Sequence, residues 1–152
     1  MKKVIIALLV ACAAYLFWMD RQADVEGAAY VTSGSPESSL SDLLTRSREE
    51  NKPLILLFTG SSWCPPCKPL GKAVLTQPEW ERFVREDAIF VVYDFPRSAS
   101  AAVPGQGSQF AQKFRVEGFP TLMKLDVNGH VLDRRVGYGG GSVREHITWA
   151  TR

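Results

Sequence analysis

The sequence predicts an α/β domain in which a mixed sheet is flanked by helices on both faces, and three observations carry that prediction. Leu54 to Thr59 is a continuous apolar run and Ala88 to Asp94 is apolar up to its closing aspartate, as strands buried on both faces require. Segments with apolar residues at helical spacing precede, separate and follow these runs. Asn128-Gly129 is a strong hairpin signal between two further extended stretches, Thr121 to Leu125 and His130 to Val136. The order helix, strand, helix, strand, helix, strand, strand, helix gives a mixed sheet with helices on both sides.

The chain opens on an export element. Lys2 and Lys3 precede sixteen uncharged residues, Val4 to Met19. As a helix these span roughly 24 Å, short of the about 30 Å hydrocarbon core, with Tyr15 and Trp18 suited to an interface. Three fates fit residues 1–19: an uncleaved membrane anchor with both lysines in the cytoplasm, acylation of Cys12, since Leu9-Val10-Ala11-Cys12 resembles the bacterial lipobox, or cleavage after Ala13 or nearer Ala29. Cys12 also reads as a small apolar residue inside a membrane segment. Each fate places the remaining chain outside the cytoplasmic membrane. Residues 20–38, rich in small and turn-forming types, read as a tether or poorly packed lead-in. Residues 39–152 are expected to form one domain. Lys2 and Lys3 account for the whole formal charge of +2, so the chain from Asp20 onward is balanced and carries no footprint for nucleic acid.

Within the domain, Leu40, Leu43, Leu44 and Ser47 predict a first helix from about Ser39 to Asn51, with Ser38, Ser39 or Ser41 as N-cap. The Leu54 to Thr59 strand follows, and Gly60-Ser61-Ser62 turns the chain into a helix expected to run from Cys64 to about Thr76. Pro78 suits the first turn of a continuation that buries Trp80, Phe83 and Val84. After the second strand comes a long loop, Phe95 to Ser108, which either shapes partner choice or is a solvated insertion. A short helix, Gln109 to Phe114, precedes the hairpin, and Gly139-Gly140-Gly141-Ser142 caps a last helix, Val143 to Thr151.

Cys64 and Cys67 are the candidate chemistry. A thiol at the first turn of a helix faces unpaired N–H groups and the positive dipole end, which favour the thiolate that attacks disulfides. A second thiol one turn later can resolve the mixed disulfide. A plain disulfide staple is the structural alternative, but so small a loop constrains the unfolded chain little. No metal is expected, because zinc wants four ligands and only His130 and His146 remain to join the pair.

Trp63 and Lys68 flank the cysteines, Gly118-Phe119-Pro120-Thr121 leads into the hairpin, and Val136-Gly137 ends its last strand. Together with the element order, these motifs resemble the thioredoxin fold over about Ser39 to Arg152. Phe58-Thr59-Gly60-Ser61, Pro78-Glu79-Trp80 and Asp94-Phe95-Pro96 are most similar to the bacterial envelope thioredoxins, which include the C-terminal domain of the transmembrane thiol-reductant transporter and the anchored thioredoxins of cytochrome c maturation.

The resemblance implies a thiol–disulfide oxidoreductase with no cofactor. Cys64 would be the nucleophile and Cys67 the resolving thiol of a redox-active disulfide. Trp63, Pro65, Pro66, Phe119, cis Pro120 and Thr121 would contact the substrate, with backbone beside Pro120 left open to an extended segment. Partners would be protein thiols and disulfides plus a membrane electron donor or acceptor, on the periplasmic side of the envelope. Reductase is the expected direction. The alternatives are a non-catalytic binding module of the same fold and a metal-handling assembly factor.

Two departures stand out. The first strand offers Leu57 or Phe58 where cytoplasmic thioredoxin has a buried aspartate. Glu117, Glu79, Glu81 and Asp87 are candidate substitutes, though all read as surface charges. Arg97, Arg134 and Arg135 read the same way. Pro65-Pro66 removes two N–H groups near the Cys64 sulfur, so the Cys67 N–H is the expected donor to it, while the stiffened loop favours ring closure.

Overall fold

The structure is a computed structural model that describes residues 30–97 and 105–152. The export element with Cys12, residues 20–29 of the expected tether and residues 98–104 of the long loop lie outside the described residues. Among those described, no helix is long and apolar enough to cross a membrane.

Helix α1, Leu40–Glu50, starts at Ser39, whose hydroxyl accepts from the Asp42 N–H at 3.1 Å, and buries Leu43, Leu44 and Ser47. Strand β1, Leu54–Thr59, is buried along its whole length. Helix α2, Cys67–Leu70, runs into a wider turn, Gly71–Leu75, in which the Thr76 N–H reaches back to the Gly71 carbonyl at 3.0 Å. Helix α3, Pro78–Glu86, buries Trp80, Phe83 and Val84, and β2 is Ile89–Asp94. Helix α4, Gly107–Lys113, precedes β3, Thr121–Leu125, and β4, Val131–Val136. Helix α5, Val143–Thr151, opens on a capping box between Ser142 and Glu145.

The strands lie in the order β2-β1-β3-β4. β2 is parallel to β1, with Phe58 opposite Tyr93, and β3 is antiparallel to both β1 and β4. Alternate residues of β1 divide the core. Ile55 and Leu57 pack with Leu70, Val74, Trp80 and Trp149 beneath α2, α3 and α5. Leu54, Leu56 and Phe58 pack with Leu43, Phe110 and Phe114 beneath α1 and α4.

Several boundaries differ from those the sequence suggested. The active-site helix starts at Cys67 instead of Cys64, because a residue followed by proline is disfavoured in the helical region and both Cys64 and Pro65 are followed by one. His130 belongs to the turn instead of β4, since the Asp126 carboxylate accepts its N–H and that of Asn128, each at 2.8 Å. Tyr30 to Ser38, within the stretch expected to be a tether, is docked on the domain. The Ser33 and Gly34 N–H groups both donate to the Phe90 carbonyl at 3.1 Å, and the Ser33 hydroxyl donates to the Ala88 carbonyl at 2.8 Å. This segment covers the outer edge of β2. A Cβ on Gly34 would stand 2.6 Å from Val91 Cγ2, so only glycine lies this close to the strand.

Candidate active site

The segment between β1 and the cysteines is fastened to the end of β2. Phe95 N–H donates to the Thr59 carbonyl at 2.7 Å, which keeps the two strand ends together. Ser61 then donates twice to Asp94, from its N–H to Oδ1 at 2.8 Å and from its hydroxyl to Oδ2. The Trp63 indole N–H donates to the Phe95 carbonyl at 2.7 Å. The indole also lies across Gly60, where a Cβ would come within 2.5 Å of the ring. The Cys64 N–H closes the turn onto the Gly60 carbonyl at 2.8 Å.

Cys64 and Cys67 form a disulfide across the start of α2, with Cα atoms 5.3 Å apart. Cys64 is 3% exposed and Cys67 1%. The Cys67 N–H, expected to face the Cys64 sulfur, donates instead to the Cys64 carbonyl at 3.1 Å, because that bond closes the Pro65-Pro66 turn. Leu57 joins the cluster under α2, so the site of the buried aspartate is apolar, and Glu117, Glu79 and Asp87 are exposed. The carboxylate hydrogen-bonded to the motif's lead-in is that of Asp94. Burial raises the Tyr30 hydroxyl above its ordinary range, and the Asp94 charge adds to this. Tyr30 packs on Gly71, where a Cβ would meet its hydroxyl oxygen at 2.7 Å.

The Phe119-Pro120 bond is cis, and the Pro120 carbonyl accepts from Gly137 N–H at 2.7 Å. Gly137 has φ +75°, a left-handed conformation that suits glycine. Cys64 Sγ lies 3.6 Å from the Phe119 carbonyl oxygen, which gives the reduced thiol an acceptor. The Phe119 ring meets Trp63 edge-on at 6.0 Å and lies 4.8 Å from the Phe95 ring. These rings border a groove of about 450 Å³ lined by Trp63, Cys64, Pro65, Pro66, Val116 to Gly118 and Phe119.

The groove gathers most of the residues suggested by the sequence, but Thr121 is not among them. Its side chain is fully buried and its hydroxyl donates to the Gly118 carbonyl at 2.8 Å, while its backbone lies between Phe58 and Val136. Thr121 therefore braces the loop and offers no side chain to a partner. Pro120 is also buried beneath the groove. His130 pairs with Asp126 in the hairpin turn and His146 is buried in α5 against the Ser142 carbonyl, so neither joins the cysteines. A second cavity of about 540 Å³, by Trp149 and Arg135, holds no cysteine.

A family model described as a thioredoxin-like domain matches residues 40–142. The chain belongs to the thioredoxin-like domain family. Among its relatives is the disulfide bond reductase DsbH of Chlamydia pneumoniae, 31% identical over 108 residues that make up 68% of this chain and 64% of that protein. The match thus spans somewhat under two thirds of that relative's length. This thioredoxin-like domain is also similar to a solved DsbH oxidoreductase, with a TM-score of 0.61 and 26% identity over 87% of this chain and 96% of that one. The C-terminal domain of Neisseria meningitidis DsbD in its oxidised form shares the fold, with a TM-score of 0.52 and 22% identity over 72% of this chain and 87% of that one.

Proposed function

We infer that this protein is a thiol–disulfide oxidoreductase acting on partner proteins, and that it runs as a reductase in the bacterial cell envelope. One observation carries the chemistry: a groove is lined by Cys64 of a disulfide pair and not by Cys67. In the reduced protein the Cys64 thiolate attacks a partner disulfide. One partner sulfur joins Cys64 and the other leaves as a thiolate that takes up a proton. The Cys67 thiolate then attacks Cys64 Sγ, closing the Cys64–Cys67 disulfide and releasing the second partner thiol, so two electrons pass to the partner. A donor dithiol must restore the reduced pair.

The cis Pro120 element holds the Phe119 carbonyl beside the sulfur, where an extended partner segment can lie against it. Trp63, Pro65, Pro66 and Phe119 supply apolar contact. Likeness to a protein named a disulfide bond reductase supports the direction, and the charge-then-apolar start of the chain supports the envelope. Insulin reduction with dithiothreitol tests the reading: turnover is expected, and Cys64→Ser abolishes it. Absence of turnover, together with no exchange in any redox buffer, contradicts an oxidoreductase. Thiol alkylation in cells tests direction, with a mostly reduced pair expected and a mostly oxidised one opposing a reductase.

A further inference from the structure

We propose that Glu117 makes the groove selective for partner segments carrying lysine or arginine beside the reacting cysteine. This rests on the exchange function inferred above and specifies its substrate class. Apart from Cys64, Glu117 is the one ionisable residue lining the groove; the others are Trp63, the two prolines, Val116, Gly118 and Phe119. It is exposed and, among the described residues, forms no hydrogen bond or ion pair. Its neighbour Arg115 is engaged through its own carbonyl, which accepts from Arg134 at 3.4 Å, and α4 ends earlier, at Lys113. Glu117 therefore caps no helix and closes no loop among the described residues.

Its position suits a role toward the partner. Glu117 stands two residues before Phe119, whose carbonyl oxygen is 3.6 Å from Cys64 Sγ. Two residues of chain span at most about 7 Å, within reach of a side chain one or two positions from the partner's cysteine. That distance is inside the screening length of about 8 Å at physiological salt. As a partner covers the apolar walls, it excludes water around the carboxylate and strengthens the field there. A cation placed beside the partner cysteine is attracted, while an acidic residue there is repelled, and this repulsion supplies as much discrimination as the attraction.

The test uses the reduced full-length protein and three matched peptides. Each carries one cysteine in a mixed disulfide with the same leaving thiol, flanked by lysine, serine or glutamate. Rates are divided by those of dithiothreitol with the same peptides, which removes the peptides' intrinsic reactivity. Exposed charge pairs give up to about fivefold each, so the lysine-to-glutamate ratio should be about threefold to tenfold in the wild type. It should fall to near one in Glu117→Gln, invert in Glu117→Lys, and shrink at 1 M salt. A ratio that is the same in all three proteins, each exchanging readily, overturns the selectivity and leaves the exchange function standing. Failure of the wild type to exchange with any peptide overturns both.

Discussion

Asp94 is the residue whose removal should most disturb the active-site loop without touching a sulfur. Both of its oxygens accept from Ser61, which is itself nearly buried, three positions before Cys64. Hydrogen bonds to a charged acceptor contribute about 1.5–3 kcal/mol each, and the partial exposure of Asp94 favours the low end. Asp94→Ala should therefore cost about 2–3 kcal/mol in the oxidised protein, lowering Tm by roughly 10 °C for a domain of this size. Asp94→Asn keeps an acceptor for the Ser61 N–H, and the Ser61 hydroxyl can rotate to accept from the new amide, so it should cost less than half as much. Thermal unfolding of the three oxidised proteins measures this ranking. The same variants report on Tyr30. Its hydroxyl is held above the ordinary range mainly by burial and secondarily by Asp94, so in Asp94→Asn its ultraviolet titration should move down yet stay above the free-tyrosine value. Unchanged Tm in Asp94→Ala, or an unmoved Tyr30 titration in Asp94→Asn, would refute the clasp.

Two further outcomes follow from the packing. Gly60→Ala should displace the Trp63 ring, break its bond to Phe95 and reduce kcat/KM about tenfold, with Tm falling less than in Asp94→Ala; unchanged kinetics would show that Trp63 does not shape the groove. Tyr93→Phe should stabilise the protein by about 1 kcal/mol at pH 7, because the Tyr93 hydroxyl is buried with no hydrogen-bond partner among the described residues. Burial raises the pKa of that hydroxyl, helped by the Glu37 charge. A group with a raised folded pKa contributes stability that is present below its unfolded value and lost as pH rises through the folded one. Wild-type stability should thus fall above about pH 10, and the advantage of Tyr93→Phe should widen there in denaturant titrations. A destabilised Tyr93→Phe would mean that the hydroxyl has a partner.

Much of the fold was legible because its signals are local. The apolar run Leu54 to Thr59 became β1, Thr121 to Leu125 became β3, and the glycine-serine cap fixed the start of α5. The cysteine pair and Pro120 could be read for the same reason: residue type and spacing set their chemistry. What escaped the sequence depends on pairings across the chain. Ser61 and Asp94 meet across the ends of two strands, and nothing near either residue announces it. Ser33 and Gly34 cover β2 because its edge would otherwise be bare, which periodicity cannot show. The burial of Thr121 follows from a strand running straight on from Pro120. The late start of α2 was within reach, since each of two consecutive prolines disfavours the helical conformation in the residue before it.

The division of labour between the two cysteines is tested most directly by trapping. Reduced Cys67→Ser and Cys64→Ser proteins are mixed with a peptide disulfide, quenched with acid and weighed intact by mass spectrometry. Cys67→Ser should accumulate a mixed disulfide mapped to Cys64, since the sulfur lining the groove attacks and nothing remains to resolve it. Cys64→Ser should remain largely unmodified, because Cys67 does not line the groove. Equal trapping, or trapping mainly at Cys67, would contradict the assignment of Cys64 as the attacking thiol.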